Sequence, residues 1–108
     1  MASSKKYLDF VLSQLSELDD VSYRSMMREY ILYYRGKVIG GIYDDRFLIK
    51  PTKSAVAMLP TASSELPYDG AKPMLRISEN ESKEFLRELL ESMFDELPSP
   101  KRRSRRGD

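Results

Sequence analysis

The 108-residue chain contains no cysteine, no histidine and no tryptophan. The lack of cysteine removes disulfides, thiolate nucleophiles and thiolate metal ligands together, and leaves nothing from which to read a redox compartment. The lack of histidine removes the commonest general base, most zinc ligand sets and nearly all serine-type triads. Jointly the two gaps argue against a hydrolase and against a structural zinc protein. No stretch approaches the roughly 20 apolar residues of a membrane span. The opening, MASSKKYLDF, carries two lysines but no uninterrupted apolar segment after them, because Asp9, Ser13, Gln14 and Glu17 intervene. The expectation is a cytoplasmic protein with no membrane contact. Oxygen ligands without EF-hand or comparable spacing imply neither a metal site nor another cofactor.

What is present describes a globular body with a foreign end. Hydrophobic residues make up 41% of the chain and charged residues 32%, and the length suits one core. The organisation read from composition is a single domain over 1–98 and a disordered basic tail over 99–108. The last eight residues hold five of the 18 Lys and Arg and one of the 17 Asp and Glu, which leaves a net charge of −3 on the rest against +1 for the whole. A tail of this kind, without apolar residues, cannot bury enough surface to fold, and such tails attract phosphates. Lys101, Arg102, Arg103, Arg105 and Arg106 are therefore the candidates for non-specific, salt-sensitive nucleic-acid contact. The alternative is a solubilising end. The body offers no helix-turn-helix, zinc-finger or RNP-type pattern to add specificity.

The segment Arg24 to Lys50, RSMMREYILYYRGKVIGGIYDDRFLIK, is the most structured reading. Apolar β-branched and aromatic residues crowd Tyr30 to Tyr34, Val38 to Tyr43 and Phe47 to Ile49. Arg35-Gly36 and Asp44-Asp45 break them at the two-residue spacing of β-hairpins, Gly36 being able to take a positive φ. The three runs predict an antiparallel meander, with a further extended piece at Val21 to Tyr23. Alternation sends Tyr30, Leu32 and Tyr34 to one face and Ile31 and Tyr33 to the other. Both faces carry apolar matter, so helices should cover one, and further packing or a partner the other. Gly40-Gly41 predicts a bulge or the close approach of a helix. Asp44-Asp45 reads as turn chemistry rather than a carboxylate pair, since neighbours on a two-residue turn diverge.

Around the meander, Ser3 or Ser4 can cap a helix with Tyr7, Val11, Leu15 and Leu18 at helical spacing, ending near Leu18. Pro51 stops the third strand, and Thr52 can cap a two-turn helix through Leu59. Residues 61–73 read as a long loop with an Asp69-Gly70 turn, and Met74 to Ile77 as a returning strand. Ser78 with Glu81 has capping-box spacing, Asn80 being an alternative cap. The last helix carries Leu86, Leu90, Met93 and Leu97 in one stripe, widened by Phe85, Leu89 and Phe94, which reads as core. The fold class is α+β: an antiparallel sheet with a central three-stranded meander, flanked by N- and C-terminal helices.

The same residues resemble the N-terminal domain of the TfoX/Sxy family, regulators of competence-specific genes. That family's pattern runs Arg-x-Met-Phe-Gly-Gly-Tyr-Gly-Leu-Tyr, a turn with Gly, a strand, Asp-Asp and a strand ending in Lys. Matches fall at Arg24, Met26, Tyr30, Leu32, Tyr33, Gly36, Asp44, Asp45 and Lys50. The opening Tyr7-Leu8-Asp9-Phe10-Val11 with Gln14-Leu15 is also similar, so the resemblance covers most of 5–95. Met27 replaces the aromatic residue, Arg28-Glu29 the paired glycines and Ile31 the third glycine. The resemblance implies a secretion-chaperone-like α+β arrangement and a small non-enzymatic protein that binds another macromolecule, most simply another protein, in gene expression. The expected contact residues are Arg28, Glu29, Tyr30 and Tyr33 on the meander and Tyr68, Asp69 and Lys72 in the loop. An exposed sheet edge would also suit a homodimer, and a covered one a monomer.

Overall fold

The computed structural model describes residues 4–27 and 29–98. Ser4 caps the first helix, α1 (Lys5–Gln14), its hydroxyl accepting from the Tyr7 amide at 3.1 Å. The helix stops four residues before Leu18. The chain then tightens, the Ser16 amide donating to the Ser13 carbonyl and that of Leu18 to Leu15, which are three-residue turns of the 3₁₀ kind. This keeps Leu15 and Leu18 on the buried side with Leu8 and Val11. Asp20, at φ 61, then reverses the chain.

Four consecutive antiparallel strands follow: β1 (Val21–Met26), β2 (Glu29–Tyr34), β3 (Lys37–Tyr43) and β4 (Arg46–Ile49). Arg35 and Gly36 have φ of 51° and 85°, and Asp44 and Asp45 of 52° and 55°. Two successive left-handed residues make the primed turn whose twist matches that of the strands it joins. The meander is longer than its three apolar runs suggest. The extended piece at Val21 to Tyr23 is the start of a full six-residue strand, joined to β2 by a tight turn at Met27, φ 50°.

α2 (Lys53–Met58) is capped by Thr52 as its sequence suggests. The loop that follows contains a two-residue strand, β5 (Ser64–Glu65), and leads to β6 (Met74–Arg76), giving a six-stranded antiparallel sheet in the order β1-β2-β3-β4-β6-β5. α3 (Lys83–Phe94) begins later than the capping-box spacing implies. Ser82 is its cap, its hydroxyl accepting from the Phe85 amide at 3.0 Å, while the Ser78 hydroxyl is used by the Asn80 amide in the preceding turn. Among the described residues no helix is long and apolar enough to cross a membrane.

The core lies between the helices and one sheet face. Leu8 and Val11 of α1, Leu15 at its C-terminal cap, and Leu86, Leu89, Leu90 and Met93 of α3 meet Leu32, Tyr34, Ile39, Ile42, Phe47 and Ile49 from the strands. The end of α3 is held on the β2–β3 turn. Lys37 Nζ donates to the Phe94 carbonyl at 2.9 Å and lies 4.1 Å from the Phe94 ring centroid, while Tyr34 meets that ring edge-on at 5.6 Å. A cation on the last carbonyls of a helix also answers the negative end of its dipole.

Gly40 and Gly41 are explained by backbone crowding within the sheet. Leu32 pairs with Gly40 and Tyr33 with Val38, so Ile39 is the extra residue of a bulge. Its carbonyl accepts from the Lys50 amide at 2.9 Å. A Cβ on Gly40 would lie 2.7 Å from Ile49 Cα, and one on Gly41 2.5 Å from the Tyr30 carbonyl oxygen. The close neighbour is strand backbone on either side, not a helix.

Candidate functional site

Opposite the helices, the sheet carries Ser22, Arg24 and Met26 of β1, Glu29, Ile31 and Tyr33 of β2, Gly41 and Tyr43 of β3 and Leu48 of β4, by strand alternation and register. Leu48 is fully buried although it stands apart from the helix-side core. The chain from Pro67 to Met74 crosses this face. Pro67, Tyr68, Ala71 and Lys72 line one groove with Tyr43 and Lys50, about 370 Å³ in volume.

A second groove of about 410 Å³ lies beyond Tyr43 and Tyr68, walled by Met26, Met27, Glu29 and Ile31. The two tyrosine rings separate the grooves, their centroids 6.2 Å apart and tilted by 56°. Tyr43 lies flat because Gly41, two residues before it on the same face, has no side chain: a Cβ there would sit 2.9 Å from the ring. Burial pushes the Tyr43 hydroxyl pKa up, helped by Tyr68 and Glu29 nearby. A protonated phenol can both donate and accept a hydrogen bond. Met27 at 90% exposure and Tyr68 at 64% form the rim.

Arg46 anchors the loop that supplies Tyr68. Its Nη1 stands 2.9 Å from Glu65 Oε1 and donates to the Leu66 carbonyl at 3.2 Å, while Nε donates to the Tyr43 carbonyl at 3.0 Å. The Arg46 guanidinium, with the Ser63 hydroxyl, holds the Glu65 carboxyl below its ordinary range. One side chain thus ties β4, β5 and the root of the tyrosine loop together.

Of the residues proposed from sequence, Glu29 and Tyr68 both line the apolar groove, and Lys72 lines its neighbour. Glu29 also accepts from the Asp44 amide at 3.3 Å. Tyr33 is half-buried on the open face, and Asp69 is exposed at the loop tip beside Gly70. Tyr30 is on the other side, packed against the helix-side core with its ring 5.8 Å from Tyr23. Arg28 and the basic residues of the tail, Lys101, Arg102, Arg103, Arg105 and Arg106, lie outside the described residues. Asp44 and Asp45 form a turn, as their spacing suggests, and Asp45 Oδ1 accepts from the Ser4 amide at 2.8 Å, joining the turn to the start of α1. Among the described residues no cluster of three or more acidic, His or Cys side chains is arranged to hold a metal ion.

Over 105 residues the chain is 33% identical to the uncharacterized 12.7 kDa protein in trpE 5'region of Spirochaeta aurantia, covering 95% of this chain and 90% of that one. The chain belongs to that protein's family. No family model and no solved structure matches it.

Met26, Met27, Ile31 and Tyr43 are the groove residues that sequence reasoning did not select. The available signal was the alternation of Arg24 and Met26 on a strand paired through a turn at Met27 with Glu29 and Ile31. That turn lacks the usual Gly, Asn or Asp, so the hairpin did not declare itself.

Proposed function

We propose that the protein is a non-enzymatic binding module of the TfoX N-terminal-domain type, serving in gene expression by docking another protein on the open face of its sheet. The observation that carries the docking role is the groove between Met26, Met27, Ile31, Tyr43 and Tyr68, with Met27 and Tyr68 left largely in solvent. Methionines adapt to the shape of an incoming side chain, and tyrosines give large contact area at low entropic cost while keeping a polar tip. The occupant this lining suits is a protein segment that inserts an apolar side chain between the methionines and the two rings. The regulatory part rests on the sequence resemblance at Arg24, Met26, Tyr33 and Asp44-Asp45.

The test is photo-crosslinking in cells from a probe at Met27, with Val56 on the far side as control. The expected result is a discrete adduct from Met27 that disappears with Ile31→Asp or Tyr68→Ala. Equal adducts from both positions, or adducts insensitive to those substitutions, would remove the open face from consideration.

A second reading, nucleic-acid contact by the tail, is favoured by the charge segregation that leaves the body acidic and the end basic. It predicts DNA binding, read by fluorescence anisotropy, that falls with salt and is lost when the chain ends at Pro98. Binding that survives truncation, or none with the full chain at low salt, would refute it.

A further inference from the structure

β1 is an edge strand whose outer side meets no other strand among the described residues, although all six of its residues pair with β2 in unbroken register. The Asp20 carbonyl accepts from the Arg35 amide at 2.9 Å. This sets the phase of the ladder: Ser22, Arg24 and Met26 direct their backbone groups to β2, and Val21, Tyr23 and Ser25 direct theirs outward. Exposed edges are usually guarded by proline, a bulge, several charges or brevity. β1 has no proline and no bulge against β2, and only Arg24 is charged, whereas the opposite edge, β5, is two residues long. Tyr23, Met26 and Met27 on this strand and its turn are 43%, 51% and 90% exposed.

We infer that the edge is completed by a second copy of the chain, β1 running antiparallel to β1 about a two-fold axis at Tyr23. Self-complementarity is the argument for a copy over a foreign peptide. In this register Tyr23 faces Tyr23 of the second copy and Val21 faces its Ser25. All are residues with outward backbone groups, so the three pairs exchange about six hydrogen bonds. Ser22 faces Arg24 of the second copy, and Met26 meets its Asp20 turn, which brings an acidic residue within one row of Arg24. Centring the axis on Arg24 would oppose two guanidinium groups, which destabilises a cross-strand pair. Centring it on Ser25 would pair Tyr23 with Met27, whose φ of 50° has already left the strand. An axis at Tyr23, normal to the sheet, places both open faces on one side. Insofar as the proposed docking role holds, the dimer displays two grooves side by side and binds bivalently.

The absence of native cysteine makes the register directly testable in the full chain. Directly opposed residues in an antiparallel ladder have Cα atoms about 4.5 or 5.5 Å apart, within disulfide reach. Under mild oxidation Tyr23→Cys should cross-link to itself, and Ser22→Cys should cross-link to Arg24→Cys in a mixture but neither to itself. Sedimentation should report a dimer that Tyr23→Lys shifts to monomer, since these exposed side chains contribute little to the protomer core. The inference is overturned by a monomeric wild-type chain at high micromolar concentration, by self-cross-linking of Arg24→Cys as fast as the mixture, or by equal rates at all three positions. None of these outcomes depends on whether the groove binds a partner.

Discussion

Gly41→Ala should be among the most damaging single-methyl additions in this protein. The new Cβ would stand 2.5 Å from the Tyr30 carbonyl oxygen and 2.9 Å from both Cε2 and the hydroxyl oxygen of Tyr43. The carbonyl belongs to the neighbouring strand, next to the Ile31–Gly41 pair, and cannot retreat without opening the ladder. The ring can swing away only by leaving Tyr68 and exposing the apolar surface beneath it. Overpacking of this kind costs about 1–3 kcal/mol, and the upper half of that range applies because one colliding partner is backbone. At about 4–8 °C per kcal/mol for a domain of this size, the melting temperature should fall by roughly 10–20 °C. Gly70→Ala is the control. Nothing lies within 4 Å of its Cβ, but its φ of 86° carries a left-handed penalty, about 1 kcal/mol. Urea unfolding of both variants with the wild type gives the comparison. Tyrosine titration should also show the Tyr43 hydroxyl returning toward its ordinary pKa as the ring loses its burial. A Gly41→Ala protein within about 0.5 kcal/mol of wild type, the level of ordinary surface changes, would refute the packing described for this face.

Two further outcomes follow from named contacts. Tyr7, partly buried and donating to Glu79 Oε2 at 3.1 Å, has its pKa pushed up to about 12, first by desolvation and then by that carboxylate. A raised phenol pKa gives stability that is complete below the unfolded value near 10 and is lost as pH rises through 12. Difference titration near 295 nm of wild type against Tyr7→Phe should reveal a component ionising well above pH 10, and a difference curve centred at 10 would contradict the contact. Arg46→Met should cost about 2 kcal/mol, in the range for hydrogen bonds to charged groups, and should speed amide exchange at Arg76, whose amide donates to the Ser63 carbonyl beside β5, as β5 and the tyrosine loop loosen. Unchanged exchange there would show that Arg46 does not hold the loop.

The parts legible in the chain were those decided by local chemistry. Ser4 and Thr52 cap helices because a hydroxyl at that point meets an unpaired amide, and the chain turns at Arg35-Gly36 and Asp44-Asp45 because Gly36 and the aspartates tolerate positive φ. The α3 stripe is buried because its apolar spacing matches the helical period. Misjudged boundaries trace to competing local bonds: Ser78 lost the cap to Ser82 by using its hydroxyl in a turn of its own, and α1 tightened before Leu18. β1 was only half seen, because its Met27 turn carries no turn residue and its Ser-Tyr-Arg-Ser sequence has no apolar run.

Residue type and period are enough for the α+β class, for the division of the meander's side chains between two faces and for the absence of cysteine and histidine chemistry. Only the tertiary structure decided what occupies the face opposite the helices. Tyr43 and Tyr68 are 25 positions apart, and they meet because Arg46 draws β5 and its loop across the sheet while Gly41 leaves the ring a place to lie. The six-stranded order likewise makes β1 an edge. Neither fact has a local signature, because both depend on which segments neighbour one another in space.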